Sequence, residues 1–278
     1  MLKLSYITND PEVAGVAEDA GVDWIFVDWE YRGKSERQAG RDTVVSRHSV
    51  DDLIRVRRVV KRASILVRIN PLGPWTKNEI DDAVKFGADC VMLPYFSSVG
   101  EVDQFIEILN GRAKTFLLLE TLSAIENLQD IVTRESIDYV HVGLNDIHIE
   151  RKTRFMFEFL SDGGLDEVSA VLRDAQIPFG FGGIGKIGTL KPSAERILAE
   201  HYRLGSTGVI LSRSFHNSVR GRSLEDTRQI FSSEVGIFRA TENEISKKDL
   251  HFFQENRDIV KREIAEVADS MGGSILFG

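Results

Sequence analysis

Cysteine is almost absent from this chain of 278 residues: there is one, Cys90. A single thiol excludes a disulfide framework within the chain and fits a reducing compartment. It lies in the apolar run Cys90-Val91-Met92-Leu93, where a small buried apolar residue is the preferred reading over a nucleophile. No apolar run approaches the roughly 20 residues of a membrane-spanning helix. A cationic segment followed by an apolar core is also missing, so no signal peptide is expected and a cytoplasmic location is. Positive charge is in deficit: 35 Lys and Arg against 43 Asp and Glu leave a net charge of -8. That balance speaks against nucleic acid as a partner and favours solubility. There is no low-complexity stretch and no sequence repeat. A glycine-rich turn is missing after the first apolar run, where Thr8-Asn9-Asp10-Pro11 stands, which argues against a dinucleotide-binding doubly wound sheet.

What is present is an ordinary globular composition, 42% hydrophobic and 28% charged. Eight short apolar runs read as buried parallel strands: Leu2–Ile7, Trp24–Asp28, Ile65–Arg68, Cys90–Leu93, Phe116–Leu119, Tyr139–Val142, Phe179–Gly182 and Gly208–Leu211. Helix signals fill the gaps. Asp10-Pro11 opens a helix that Gly21 stops, and Ser49-Val50-Asp51-Asp52 starts another over Val50–Ala63. Thr76–Glu79 and Ser98–Glu101 read as capping boxes, and Pro192 and Gly205 bracket a further helix. Eight strand–helix units predict an α/β fold, a (β/α)₈ TIM barrel with an additional C-terminal helix. Residues 1–278 are expected to form one barrel domain, with 222–278 as a helical extension of two helices, Leu224–Ser246 and Lys248–Ser270. Such an extension suits contacts in a homo-oligomer, a trimer or hexamer.

Barrel enzymes carry their chemistry at the C-terminal strand ends. Glu120 and Asp146 both stand there, and two converging carboxylates suit a hard divalent cation, Mg²⁺ or Mn²⁺. Arg68 ends the third run, where a guanidinium either grips a substrate carboxylate with two prongs or forms a structural ion pair with Asp28 or Glu30. Gly180, Gly182, Gly183 and Gly185 follow the seventh run and predict a close backbone approach to substrate. Lys186 stands beside them, but this is not a Walker loop. Ser212 and Arg213 stand on the same side. The loop Arg32–Arg47, with Lys34, Arg37, Arg41 and Arg47, reads either as a lid over an anionic substrate or as a solvated or intersubunit loop. The aromatics after Arg151-Lys152-Thr153-Arg154 are expected to pack on the barrel or a neighbouring subunit.

Taken in order, Asp28-x-Glu30, Arg68-x-Asn70, Met92-Leu93-Pro94, Leu119-Glu120-Thr121 with Ala124 and Asn127, and Gly143-x-Asn145-Asp146 resemble the HpcH/HpaI aldolase / citrate lyase β-subunit family of the phosphoenolpyruvate/pyruvate barrel superfamily. The resemblance runs from about Leu2 to Ser214. It implies a barrel, a Mg²⁺ or Mn²⁺ ion, and making or breaking of a carbon–carbon bond next to a pyruvate-like or acyl-thioester enolate. By position it implies metal ligands at Glu120 and Asp146, substrate binding by Arg68, and an acidic pair at Asp28 and Glu30. Asn145, Gly182 and Gly183 are further substrate-binding candidates.

The sequence departs from the aldolase branch at Tyr31, where a histidine base is expected; a tyrosine is a poor base near neutrality. His48 then either reaches in from the loop after the second strand or is a solvated loop residue. The short stretch from Pro94 to Glu120 lies closer to the citrate lyase β-subunit branch. The expected function is a class II type carbon–carbon lyase or aldolase acting on a small anionic 2-oxo acid, with no Schiff base. Its rivals are a citryl-CoA or malyl-CoA type lyase taking an acyl-CoA, and a catalytically silent ligand-binding member. Phosphonate or phosphoenolpyruvate mutase chemistry ranks behind these.

Overall fold

The computed structural model describes residues 1–33 and 48–273. Eight parallel strands close into a barrel in chain order: β1 Lys3–Ile7, β2 Trp24–Asp28, β3 Ser64–Arg68, β4 Cys90–Leu93, β5 Lys114–Leu119, β6 Tyr139–Val142, β7 Phe179–Ile184 and β8 Gly208–Leu211. The expected (β/α)₈ architecture is therefore observed, with β1 pairing both β2 and β8. Parallel strands buried on both faces need no polar alternation, which is why they read as continuous apolar runs.

Side chains alternate between two apolar layers. Phe26, Leu66, Cys90, Met92, Phe116, Leu118 and Tyr139 fill the barrel interior, while the larger cluster lies between strands and helices. Trp24, Phe116 and Tyr139 pack with centroids 4.9 to 5.4 Å apart and form an aromatic core within the barrel. Burial pushes the Cys90 thiol up to about 12, so it is an inert packing group.

Local chemistry sets the helices. The first, α1 Pro11–Asp19, is capped by Asp10, whose carboxylate accepts the N–H groups of Glu12 and Val13. Reciprocal capping boxes start α2 Val50–Val59 at Ser49 and α4 Val99–Leu109 at Ser98. Between them, α3 Thr76–Lys85 departs from expectation: its N-cap is Trp75, without a side-chain cap. Thr76 Oγ1 instead accepts the Gly73 N–H, and Glu79 bonds to Asn70. After β5 come α5 Leu122–Glu126 and α6 Leu128–Ile131; after β6 come α7 Leu144–Arg151, α8 Glu158–Ser161 and α9 Gly164–Asp174. Next, α10 Ala194–Leu204 begins two residues beyond Pro192, because Ser193 is its N-cap, and ends at left-handed Gly205.

Short α11 Arg213–Val219 leads into α12 Leu224–Ile245, which packs against α1 and α10. The last helix, α13 Leu250–Gly273, lies across α8 and α10 and buries Val260, Ile264 and Ala268. No helix among the described residues is long and apolar enough to cross a membrane. Phe155, Met156 and Phe157 pack against the outer core, as expected of that aromatic segment.

Candidate functional site

The C-terminal strand ends converge on one cluster of charge. On β2 the inward alternation that buries Phe26 brings Asp28 to the mouth, and the same alternation on β3 brings Arg68 beside it. The two meet fork to fork: Arg68 Nε donates to Asp28 Oδ1 at 2.8 Å and Nη2 to Oδ2 at 2.8 Å. Arg68 Nη1 lies 3.3 Å from Glu30 Oε2. The arginine side chain is 13% exposed, and both acids are 2% exposed. Burial alone would depress the guanidinium; Asp28, Glu30 and then Glu120 outweigh it and push Arg68 above its ordinary value. The structural ion pair weighed against a substrate role for Arg68 therefore exists. It fixes the guanidinium at the barrel mouth, which a binding role also needs.

His48 does reach the site. Its Nδ1 accepts the Asp28 backbone N–H at 3.0 Å. A neutral imidazole accepting at Nδ1 carries its proton on Nε2, so it is not a base at Nε2 in this arrangement.

Glu120 follows β5 directly and is 3% exposed. Its Oε1 accepts the Tyr95 N–H at 3.0 Å, and Tyr95 has the left-handed φ of 49°. A bulky residue in that region is uncommon, and such strain clusters at functional sites. Thr121 anchors the next step, donating to Phe96 O at 2.6 Å while capping α5. Gly143 sits beneath the Glu120 side chain. A Cβ there would lie 2.8 Å from Glu120 Cβ and 2.9 Å from Oε2. Only glycine permits this approach, and Gly143 N donates to Leu119 O at 2.9 Å. Gly143 is also the N-cap of α7, whose first turn carries half-buried Asn145 and Asp146.

His141 was missed by sequence reasoning. Its signal was a single imidazole in an apolar strand, in phase with inward Tyr139. It is 4% exposed, and its Nε2 lies 3.0 Å from Gly182 O, which makes Nε2 the donor. Burial pulls it down to about 4, the Gly182 bond opposes that, and the Arg68 charge adds to it. It ties β6 to β7 where the β7–β8 register shifts between Gly180 and Gly183. Gly182 and Gly183 are half-buried, with Leu144 beside Gly182 and Ser212 beside Gly183. Lys186 is paired with Glu234 at 2.5 Å, and Ser212 and Ser214 hydroxyls lie 3.1 Å apart. Lys34, Arg37, Arg41 and Arg47 of the lid reading lie outside the described residues, as does the Arg213 side chain.

The strand ends thus join Asp28, Glu30, Arg68, His48 and Glu120, with Asp146 one helical turn beyond the glycine under Glu120. The sequence model of HpcH/HpaI aldolase/citrate lyase matches residues 6–155, more than half of the chain. The chain belongs to the HpcH/HpaI aldolase/citrate lyase family. Solved structures share the fold at low identity. An HpcH/HpaI aldolase from Desulfitobacterium hafniense DCB-2 is 12% identical, with a TM-score of 0.58 over 86% of this chain and 93% of the other. A family protein from Burkholderia cenocepacia J2315 is 13% identical, with 0.60 over 88% and 93%. The citrate synthase SbnG is 12% identical, with 0.57 over 87% and 94%. Comparison with curated protein sequences gives no match.

The donor set fits a hard cation of the kind the family resemblance implies. Asp28, Glu30 and Glu120 all act on the Arg68 charge, so the strand ends bring hard carboxylate oxygens together around it. Glu120 Oε2 lies over Gly143, the N-cap of the helix whose first turn carries Asp146. Among the described residues no three His, Cys, Asp or Glu side chains form a metal cage. A pair of carboxylates completed by substrate oxygens and water is how Mg²⁺ is commonly held.

Proposed function

We propose that this family member is a divalent-metal-dependent carbon–carbon lyase or aldolase that makes or breaks a bond to the enolate of a small 2-oxo acid. The observation that carries the reading is the buried Arg68, held by Asp28 and Glu30 beside Glu120 over its glycine cradle.

Glu120 and Asp146 are the residues that would hold Mg²⁺ or Mn²⁺. When bound, the ion supplies Lewis-acid stabilisation of the charge that develops on the enolate oxygen. Arg68 presents a fixed positive charge to the same oxygen or to the substrate carboxylate, without reorganisation during reaction. Asp28 and Glu30 hold that guanidinium in place and shield it from water. His48 supports that pair by accepting the Asp28 backbone N–H at Nδ1. Asn145 and the Gly182-Gly183 backbone border the substrate on the β6–β7 side.

The reading predicts that the protein with Mn²⁺ exchanges pyruvate methyl protons with deuterated water. Exchange read by NMR and lost on chelation bears it out; no exchange with either metal sinks it and favours a silent binding role. Saturation by an acyl-CoA instead of a free 2-oxo acid moves the assignment to an acyl-CoA lyase. We further propose that α12 and α13 serve a homo-oligomer, since they expose Ile237 (47%) and Leu250 (79%). A monomer by light scattering would contradict this.

A further inference from the structure

From Asp28 to Arg32, successive peptide N–H groups each have an acceptor, and most of the acceptors are side chains. His48 accepts that of Asp28 at 3.0 Å, and Arg68 O accepts that of Trp29 at 2.9 Å. Asp28 Oδ1 takes the Glu30 N–H at 3.1 Å while it also holds Arg68 Nε. Asn70 Oδ1 takes the next two, Tyr31 at 3.0 Å and Arg32 at 2.9 Å. One carboxamide oxygen receiving two consecutive amides fixes how that stretch of backbone turns. The Arg32 guanidinium adds a second tie between the two loops, 4.2 Å from the Trp75 ring centroid.

Asn70 is buried and is oriented by one residue of the outer helix ring. Glu79 of α3 accepts the Asn70 backbone N–H at 2.9 Å through Oε2 and its Nδ2 at 2.7 Å through Oε1. The second bond decides the amide: with Nδ2 toward Glu79, Oδ1 faces residues 31 and 32. Burial pushes the half-buried Glu79 carboxyl up; both Asn70 bonds and then the Arg32 charge oppose it and favour the ionised form. The contacts then run inward. Asn70 stands two residues beyond Arg68, and Tyr31 directly follows Glu30 on the neighbouring strand end. Glu30 lies 3.3 Å from Arg68 Nη1, the nitrogen outside the Asp28 fork.

We propose that Glu79 is a positioning residue: through Asn70 it fixes the backbone that carries Glu30, and so sets where Arg68 presents its guanidinium. Glu79 acts from α3, without touching substrate. Its meaning in turnover rests on the lyase reading above, but the mounting itself is testable without turnover.

The test exchanges the two side chains. Asn70→Asp sets two carboxylates face to face, and Glu79→Gln leaves one Asn70 donor opposite another donor. The double variant restores both bonds with roles reversed: the new carboxylate still accepts from residues 31 and 32, and the new amide donates to it. Measurements are made above neutral pH, so that facing carboxylates do not share a proton. Each single variant is expected to raise KM for pyruvate in Mn²⁺-dependent proton exchange about 10-fold, since small misplacements near the chemistry are costly. The double variant is expected to return to within about 2-fold of wild type, the ordinary error of additivity. Mn²⁺ affinity by calorimetry should stay unchanged in all three, because Glu120 and Asp146 belong to the β5–β6 side. Unchanged KM in the single variants, additive losses in the double variant, or a parallel loss of Mn²⁺ affinity overturns the positioning role. If Asn70→Asp does not fold, Glu79→Gln and the double variant carry the comparison. Amide hydrogen exchange at Tyr31 and Arg32 should be faster in Glu79→Gln and recover in the double variant. Unchanged amide exchange overturns the mounting. A wild type that exchanges no pyruvate protons sinks the lyase reading, while amide exchange still decides the mounting.

Discussion

Glu120 is the residue on which most of the chemistry converges. Glu120→Gln keeps the side-chain volume over Gly143 and the Tyr95 bond while removing the charge, so the fold is expected to survive. The kcat/KM for the pyruvate reaction is expected to fall about 100-fold or more, with loss of Mn²⁺ affinity by calorimetry. Full activity would remove Glu120 from the site. Gly143→Ala tests the cradle by another route: a methyl placed 2.8 Å from Glu120 Cβ must displace the carboxylate. A displacement near 1 Å costs on the order of 100-fold in rate. Unchanged steady-state kinetics would show that the close approach has no functional role. Arg68→Lys retains charge but cannot make the paired bonds to Asp28, and KM for the 2-oxo acid is expected to rise about 10-fold. Unchanged kcat and KM would dismiss Arg68.

At the scale of elements, the sequence signals divide by whether their chemistry is local. The Ser98 box is local, and Ser98→Ala is expected to lower stability by about 1 kcal/mol in urea unfolding; a change near zero would mean the box adds nothing. The same pattern at Thr76–Glu79 misled, because Asn70 offered Glu79 two donors and the fold chose that longer-range pairing. Strands were legible because burial on both faces leaves only apolar runs, and their C-terminal ends located Asp28, Arg68 and Glu120 by alternation. The extension of β7 to Ile184 past the glycines was not legible, since it depends on the register shift against β8. Nor was the Arg32–Trp75 stack, which joins loops after two different strands. His48 was left between two readings because its bond to the Asp28 N–H depends on the path of the chain after β2.

For the molecule as a whole, buried histidines shape the response to acid. His141, held near 4 and with an ordinary value of 6.5, binds fewer protons folded than unfolded between those limits. His201, stacked on Phe181 at 3.7 Å, is likewise held well below its ordinary value by burial and then by His141. Stability is therefore expected to fall as pH drops from 6.5 toward 4, with His141 contributing about 3 kcal/mol over that span. Melting temperature against pH should show a shallower acid limb in His141→Gln; an identical limb would contradict the assignment. The central claim joins the barrel mouth to one divalent ion between the ends of β5 and β6. Its most direct test is a crystal soaked with Mn²⁺ and oxalate, read by anomalous scattering. The account predicts one peak about 2.1 Å from carboxylate oxygens of both Glu120 and Asp146, with oxalate facing Arg68. A peak elsewhere, or none at saturating Mn²⁺, would contradict it.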